Sequence, residues 1–146
     1  LIASALARPS RVTHAMSRPA FGSCHGLIRH KLFSRLQFRS LRIKPELFEE
    51  YYRDTCGISK QNMIAFLEAN ALYAIKASIA DCCAKASVFV GEKENSAMQK
   101  SARSIHKALP GSHMQILPGM YHGEFSINHA DDYVNTVKKI IANRSC

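Results

Sequence analysis

The hydrophobic positions of the chain follow a helical period between Pro45 and Tyr73. Apolar side chains recur there at intervals of three and four residues, which predicts two amphipathic helices. Pro45 suits the first turn of the earlier helix, Gly57 suits its end, and Ser59 suits the N-cap of the next helix. The short connection between them predicts a helical hairpin.

Residues 27–43 alternate apolar and basic positions. This pattern predicts an amphipathic helix that packs over a groove. A helix that lies on a membrane surface is the alternative interpretation of the same pattern.

After residue 85 the pattern changes to short apolar runs separated by helical periods. Residues 86–90 form a β-branched run that ends at Gly91, and residues 114–117 form a second run that ends at Pro118-Gly119. The order strand, helix, strand, helix predicts a parallel pair with a right-handed crossover, that is, an α/β fold. Two parallel strands leave both sheet edges uncovered, so the pattern is typical of the end of a larger sheet.

Three segments follow from these patterns. Residues 1–26 contain scattered Pro, Ser and Gly without a hydrophobic period, so we expect a basic, poorly ordered N-terminal segment. Residues 27–85 are predicted to form a helical region. Residues 86–146 are predicted to form the strand–helix–strand–helix core.

The formal net charge of +9 is concentrated in the N-terminal third, because residues 1–44 contain seven Arg and two Lys but no Asp or Glu. The basic residues are not interleaved with aromatic ones into a recognisable module, so no nucleic-acid partner is predicted. An acid-free basic N-terminus is also the composition of an organelle transit peptide or a disordered basic tail. Because the chain begins with Leu1, we favour the remnant of a truncated domain. No apolar stretch approaches 18 residues, so no stable membrane insertion is expected.

The five cysteines do not form a metal or disulfide framework in the sequence. Their number is odd, and neither a C-x-x-C pair nor zinc-ligand spacing is present. We therefore expect buried, reduced thiols in a cytoplasmic protein, with no metal site.

Two loops carry the candidate chemistry, because catalytic residues of doubly wound sheets collect beyond the carboxyl ends of strands. The first loop is Gly91-Glu92-Lys93-Glu94, and the second runs from Pro118 to Phe125 and contains His122. A carboxylate on one loop that bonds a histidine on the next holds the imidazole in one tautomer and stabilises the imidazolium.

These residues resemble the α/β-hydrolase superfamily. The acid loop of that family follows a late strand, with the triad acid three positions after a glycine, and Val88-Phe89-Val90-Gly91-Glu92-Lys93-Glu94 is similar to it. The family's final crossover, strand and histidine loop are similar to Leu109-Pro110-Gly111-Ser112, Ile116-Leu117-Pro118-Gly119 and His122-Gly123. The resemblance is most specific over residues 86–142, and the hairpin at 45–75 is similar to the family's helical cap.

The resemblance implies the C-terminal portion of an α/β-hydrolase fold, with parallel strands and a cap region. It implies that Glu94 is the triad acid and His122 the general base, in the family's order of acid before histidine. It implies no cofactor and a small acyl ester as substrate. The family more often has Asp at the acid position, so Glu92 and Glu124 remain alternatives.

The nucleophile elbow of the family is missing, because no G-x-S-x-G occurs in the sequence. Residues 22–26 match G-x-C-x-G, which makes Cys24 a candidate, but residues 17–21 do not resemble a buried strand. We expect His25 beside it to be a surface residue. The sequence thus predicts a fragment or truncated form of an esterase-like or lipase-like hydrolase. The alternative is a non-catalytic relative that acts as a binding module or has no separate activity, and the oligomeric state is left open.

Overall fold

A computed structural model describes residues 2–3, 7 and 9–143 of the chain. In these residues the strands are β1 (Ile2–Ala3), β2 (Ser87–Gly91) and β3 (His113–Leu117). The α-helices are α1 (Arg11–Met16), α2 (Gly22–Cys24), α3 (Lys31–Ser40), α4 (Phe48–Gly57), α5 (Lys60–Leu72), α6 (Ser96–Ala108), α7 (Glu124–Ile127) and α8 (Ala130–Ala142). A π-helical turn covers Ser17–Phe21, and short 3₁₀ helices cover His25–Arg29, Pro45–Leu47 and Ala77–Asp81.

The chain divides into two compact units. A sheet unit combines Leu1–Ala7 with Ile75–Cys146, and a helical unit spans Arg8–Ala74. The boundaries predicted after residues 26 and 85 differ from this division, because residues 9–26 pack within the helical unit. There the Ser10 N–H donates to the Ala71 carbonyl at 2.7 Å. Poor order of residues 1–26 in solution stays a prediction, and its residues 1, 4–6 and 8 lie outside the described part.

All strand pairs in the described sheet are parallel, in the order β1-β2-β3. The prediction that residues 86–90 and 114–117 are parallel neighbours is confirmed. Ser87 pairs with His113 at the start of the two strands and Gly91 pairs with Leu117 at their end. Because this register is kept along both strands, the loops after β2 and β3 begin side by side at the same edge of the sheet.

The central strand β2 is buried on both faces, as expected of a parallel strand with apolar residues throughout. On one face Val88 and Val90 pack in a core with Ala102, Ile105 and Leu109 of α6 and its end. On the other face the Phe89 ring lies 5.7 Å from that of Phe125, which lies 5.5 Å from the ring of Tyr133 in α8. Each buried valine contributes on the order of 1.5–3 kcal/mol relative to an exposed one.

Helix α6 begins immediately after the acid loop. Asn95 is its N-cap, with Oδ1 accepting a hydrogen bond from the Met98 N–H at 3.0 Å. The amide oxygen of Asn95 thus satisfies one of the free N–H donors of the first turn. The helix therefore starts directly beyond Glu94.

The helical unit contains α4 and α5 where helices were predicted, but the hairpin packing expected between them is not formed. Helix α4 packs on α3 and on the 3₁₀ helix His25–Arg29, and α5 packs on α1 and on the π-helical turn. The Ser59 Oγ accepts a hydrogen bond from the Asn62 N–H at 3.1 Å, which confirms Ser59 as the N-cap of α5. The amphipathic stretch at residues 27–43 forms α3 within its bounds and packs on α4, where the Phe38 and Phe48 rings lie 5.4 Å apart.

The described cysteines differ from the expected burial. Cys24, Cys82 and Cys83 are exposed and Cys56 is half-buried, so the prediction of buried thiols is wrong for them, and Cys146 lies outside the described residues. In the part of the chain that the structure describes, no helix combines the length and the apolar character needed to cross a membrane.

Candidate active site

The acid loop and the histidine loop are joined by their backbones where β2 and β3 end. The Glu92 N–H donates to the Leu117 carbonyl at 2.9 Å, and the Lys93 N–H donates to the Met120 carbonyl at 2.9 Å. These bonds continue the pairing of the two strands into their loops. The acid loop and the start of the histidine loop are thereby joined side by side at this edge of the sheet.

Gly91 allows this close approach because it lacks a side chain. A Cβ at this position would lie 2.3 Å from the Met120 carbonyl oxygen and 2.9 Å from its carbon. Both atoms belong to the backbone and cannot rotate away. The glycine at the end of β2 is thus required by the proximity of the histidine loop.

Glu94 is buried, with 1% of its side chain exposed, and both of its carboxylate oxygens have partners. Oε1 accepts a hydrogen bond from the Gly91 N–H at 2.9 Å, and Oε2 lies 3.0 Å from Nδ1 of His122. A buried carboxylate without such donors would be costly. The geometry expected for an acid and histidine on neighbouring loops is present.

His122 presents its other ring nitrogen away from this bond, and 60% of its side chain is exposed. An ionised carboxylate only accepts hydrogen bonds, so the proton on Nδ1 belongs to His122. Nε2 then carries the lone pair of the neutral ring and is the atom able to accept a proton. Gly123, with φ of 74°, turns the chain from the histidine into α7.

The two alternative carboxylates bind elsewhere. The Glu92 Oε2 accepts a hydrogen bond from the Gly119 N–H at 2.7 Å, and the Glu124 Oε2 accepts one from the Tyr121 N–H at 2.8 Å. Each therefore stabilises the histidine loop through its backbone. Glu94 is the carboxylate that contacts the His122 ring, while its catalytic role and that of His122 stay predictions.

A small pocket of about 110 Å³ lies beside the pair. Its walls combine the His122 and Glu94 side chains with apolar and aromatic groups, among them Phe89, Leu117, Tyr121 and Phe125. The Lys93 ammonium lies 5.4 Å from the centre of the Tyr121 ring, a cation–π distance. Among the described residues, no group of three His, Cys, Asp or Glu side chains is placed to hold a metal ion.

The G-x-C-x-G segment does not form a nucleophile elbow. Residues Gly22–Cys24 are helical and follow the π-helical turn, where the elbow requires a strand and a strained turn. The expectation that His25 is a surface residue is wrong. It is buried, with Nε2 donating to the Ile58 carbonyl at 3.0 Å and Nδ1 accepting from the Arg29 guanidinium at 3.1 Å. These bonds give His25 a structural role within the helical unit.

Gln99 also contacts the acid loop, and the sequence reasoning did not single it out. Its side-chain amide donates to the Glu92 carbonyl at 2.8 Å and to the Glu94 carbonyl at 3.1 Å. The only signal in the sequence is its place five residues after Glu94, on the helix that follows the loop.

Solved structures share this fold. No protein-family model and no curated protein sequence matches the chain. A bromoperoxidase from Bacillus anthracis superposes with a TM-score of 0.70 at 12% identity, over 95% of this chain and 54% of that one. An esterase from Exiguobacterium antarcticum superposes with a TM-score of 0.68 at 13% identity, over 96% of this chain and 54% of that one.

Both neighbours are α/β-hydrolase fold proteins, so the resemblance to that superfamily is confirmed at the level of the fold. The chain spans about half the length of these structures. What it carries is part of an α/β-hydrolase fold, with parallel strands and helices.

Proposed function

We propose that this chain supplies the acid and the general base of an acyl hydrolase that acts on carboxylic esters. The observation that carries the proposal is the buried Glu94 carboxylate, 3.0 Å from Nδ1 of an exposed His122, beyond the carboxyl ends of adjacent parallel strands. This is where the fold places catalytic groups. The esterase among the structural neighbours is consistent with the substrate class.

The chemistry needs a serine hydroxyl from outside these residues. Nε2 of His122 accepts the serine proton while the oxygen attacks the acyl carbon and forms a tetrahedral intermediate. The imidazolium then gives the proton to the leaving alkoxide, and Glu94 stabilises its positive charge. In the second half of the reaction His122 removes a proton from water as the water oxygen attacks the acyl carbon. It then returns this proton to the serine oxygen, so that the bond to serine breaks and the carboxylic acid leaves. No cofactor is required by these steps.

We further propose that the helical unit acts as the cap of such an enzyme and that the protein is cytoplasmic. The aromatic residues of α4 and α5 support an apolar acyl group as the substrate. No nucleic-acid partner and no stable membrane insertion are proposed.

The second candidate function is a non-catalytic one, and the absence of G-x-S-x-G from all 146 residues favours it. In this case the Glu94–His122 pair is an inherited structural feature, and the pocket binds a small ligand or has no separate activity.

One experiment separates the two candidates. The complete reading frame that encodes these residues is expressed, and hydrolysis of p-nitrophenyl butyrate is compared with that of its His122→Ala variant. Hydrolysis that falls by several orders of magnitude in the variant supports the hydrolase. No hydrolysis, or a rate that His122→Ala leaves unchanged, contradicts it and favours the non-catalytic function.

A further inference from the structure

We infer that Gln99 is a positioning residue that holds the acid loop so that Glu94 meets His122. The side-chain amide of Gln99 has two N–H donors, and the loop offers two carbonyl oxygens to them, those of Glu92 and Glu94. Each carbonyl thus receives one hydrogen bond from a single side chain. The catalytic meaning of this arrangement rests on the proposed function, whereas the geometry can be tested without it.

The position of Gln99 in α6 allows its side chain to hold the acid loop in place. It lies in the second turn of α6, whose start is fixed by the Asn95 N-cap directly after Glu94. The helix is anchored to the sheet because Ala102 and Ile105 are buried against β2. The amide therefore connects the loop to a rigid element, and its own oxygen accepts a hydrogen bond from Arg103 at 3.4 Å.

The bonds to the two loop carbonyls control the direction of the Glu94 side chain. The loop is attached to the histidine loop through the Glu92 and Lys93 N–H groups, and its carbonyls are attached to α6 through Gln99. With the backbone held on both sides, the Glu94 carboxylate is fixed between the Gly91 N–H and His122 Nδ1. A loop released on the α6 side can rotate about Lys93 and withdraw the carboxylate from the ring.

Gln99→Glu is the sharpest test. It keeps the shape of the side chain but replaces the donors by an oxygen that faces two carbonyl oxygens. A carboxylate near the N-terminus of α6 interacts favourably with the helix dipole, so the helix is expected to persist. Ala97→Glu is the matched control, because it adds the same charge at an exposed position in the first turn. Gln99→Lys restores donors at similar length.

The measurement is the tautomer of His122 in the ¹⁵N-labelled chain, from two-bond ¹H–¹⁵N correlations assigned with His122→Ala. It is made at a pH near 8, where imidazole is neutral. We expect the ratio of the Nδ1–H to the Nε2–H form to fall about tenfold in Gln99→Glu, the effect of losing one hydrogen bond to a charged group. Ala97→Glu and Gln99→Lys should keep the ratio of the wild type, and circular dichroism should show the same helix content in all.

An unchanged tautomer ratio in folded Gln99→Glu overturns the inference. So does a ratio that falls as far in Gln99→Lys as in Gln99→Glu. If Gln99→Glu does not fold, Gln99→Met, which has neither charge nor donors, is judged by the same criterion. The result is independent of ester hydrolysis by the complete reading frame. If that frame is a hydrolase, Gln99→Glu should lower kcat and leave KM unchanged, because the residue does not line the pocket.

Discussion

Glu92 and Glu94 are two carboxylates of one loop with different partners. The Glu94 carboxylate binds the His122 ring, whereas that of Glu92 binds the Gly119 backbone N–H. An amide at position 92 can still accept from that N–H through its oxygen. An amide at position 94 has no negative charge to stabilise an imidazolium, and its NH₂ group can force the ring into the other tautomer. The pair of substitutions Glu92→Gln and Glu94→Gln is therefore matched in chemistry but not in expected effect.

On the proposed hydrolase function, we predict that Glu94→Gln lowers kcat of the complete reading frame by about 10⁴-fold, the effect of replacing the triad carboxylate in a serine protease. Glu92→Gln should change kcat by less than about tenfold. The measurement is steady-state hydrolysis of p-nitrophenyl butyrate by both variants. Equal losses of kcat would show that Glu94 has no special function. A larger loss for Glu92→Gln would show that Glu92, and not Glu94, is the acid.

Gly91 is the residue at which packing and the site depend most directly on each other. We predict that Gly91→Ala destabilises the chain by ~1–3 kcal/mol, because the new Cβ overlaps the Met120 backbone and must displace the histidine loop. Thermal unfolding should show a Tm lower by several degrees, and the Nδ1–H signal of His122 should weaken.

Gly57→Ala is the control for this substitution. Gly57 ends α4, and a Cβ there would meet no atom within 4 Å. Its Tm should stay the same or rise. Alanine reduces the conformational entropy of the unfolded chain, which stabilises the folded chain by ~0.4–1 kcal/mol. A Gly91→Ala variant as stable as Gly57→Ala would show that the two loops separate without cost.

At the scale of elements, strands β2 and β3 and the later helices could be predicted, whereas the elements in the first quarter of the chain could not. Strands β2 and β3 are continuous apolar runs ended by glycine, a local signal that the parallel sheet requires. Strand β1 has two residues and pairs with a strand more than 80 residues later, so no periodicity marks it. The helical turns at residues 11–29 depend on contacts with α4 and α5, and the burial of His25 depends on partners as distant as Ile58.

The candidate site likewise contains residues that could be predicted from the sequence and one that could not. Glu94 and His122 follow strands and resemble a motif, so the sequence identifies them. Gln99 acts through loop carbonyls whose direction is set only when the loop has folded against α6. Because its partners are loop carbonyls, no complementary residue type in the loop points to it.

Helix α5 is joined to the π-helical turn by an ion pair, which gives the helical unit a pH dependence. The Arg18 Nε donates to a Glu68 carboxylate oxygen at 2.7 Å, and this bond lowers the pKa of Glu68 below its usual value of 4.5. A lowered pKa in the folded state means that stabilisation is present above the unfolded value and is lost as the pH falls through the folded one.

We therefore predict that Glu68→Gln lowers the Tm slightly at pH 7 and that the difference from the wild type shrinks as the pH falls below about 4.5. Arg18 is exposed and Glu68 is half-buried, so the effect is small and should also decrease in high salt. Glu46→Gln is the control for removing a carboxylate from the same unit. A Tm difference that is constant from acidic to neutral pH would contradict the assignment.

At the scale of the whole molecule, the chain contains the hydrogen-bonded Glu94–His122 pair and spans about half the length of the α/β-hydrolase structures that it resembles. The Glu94 carboxylate is buried and the His122 ring is exposed, which is the arrangement that a triad needs, but the sequence contains no G-x-S-x-G elbow to present a nucleophile. An acyl hydrolase also needs N–H donors aimed at the oxyanion, and removing one such donor from an enzyme costs about 10²–10³-fold in kcat. A general base acting without either has little effect on an ester, beyond that of an ordinary imidazole.

Residues 1–146 alone are therefore expected not to turn over simple acyl esters. Hydrolysis of p-nitrophenyl acetate and butyrate by the chain should equal that of His122→Ala within about twofold, since loss of one member of an incomplete triad removes little. His30→Ala, at an exposed histidine of the helical unit, controls for background reaction at imidazole. A wild-type rate that exceeds His122→Ala by orders of magnitude, with His30→Ala unaffected, would mean that the chain contains its own nucleophile. Cys24 would then be tested first with Cys24→Ser, because its segment matches G-x-C-x-G, although the helical backbone there argues against an elbow.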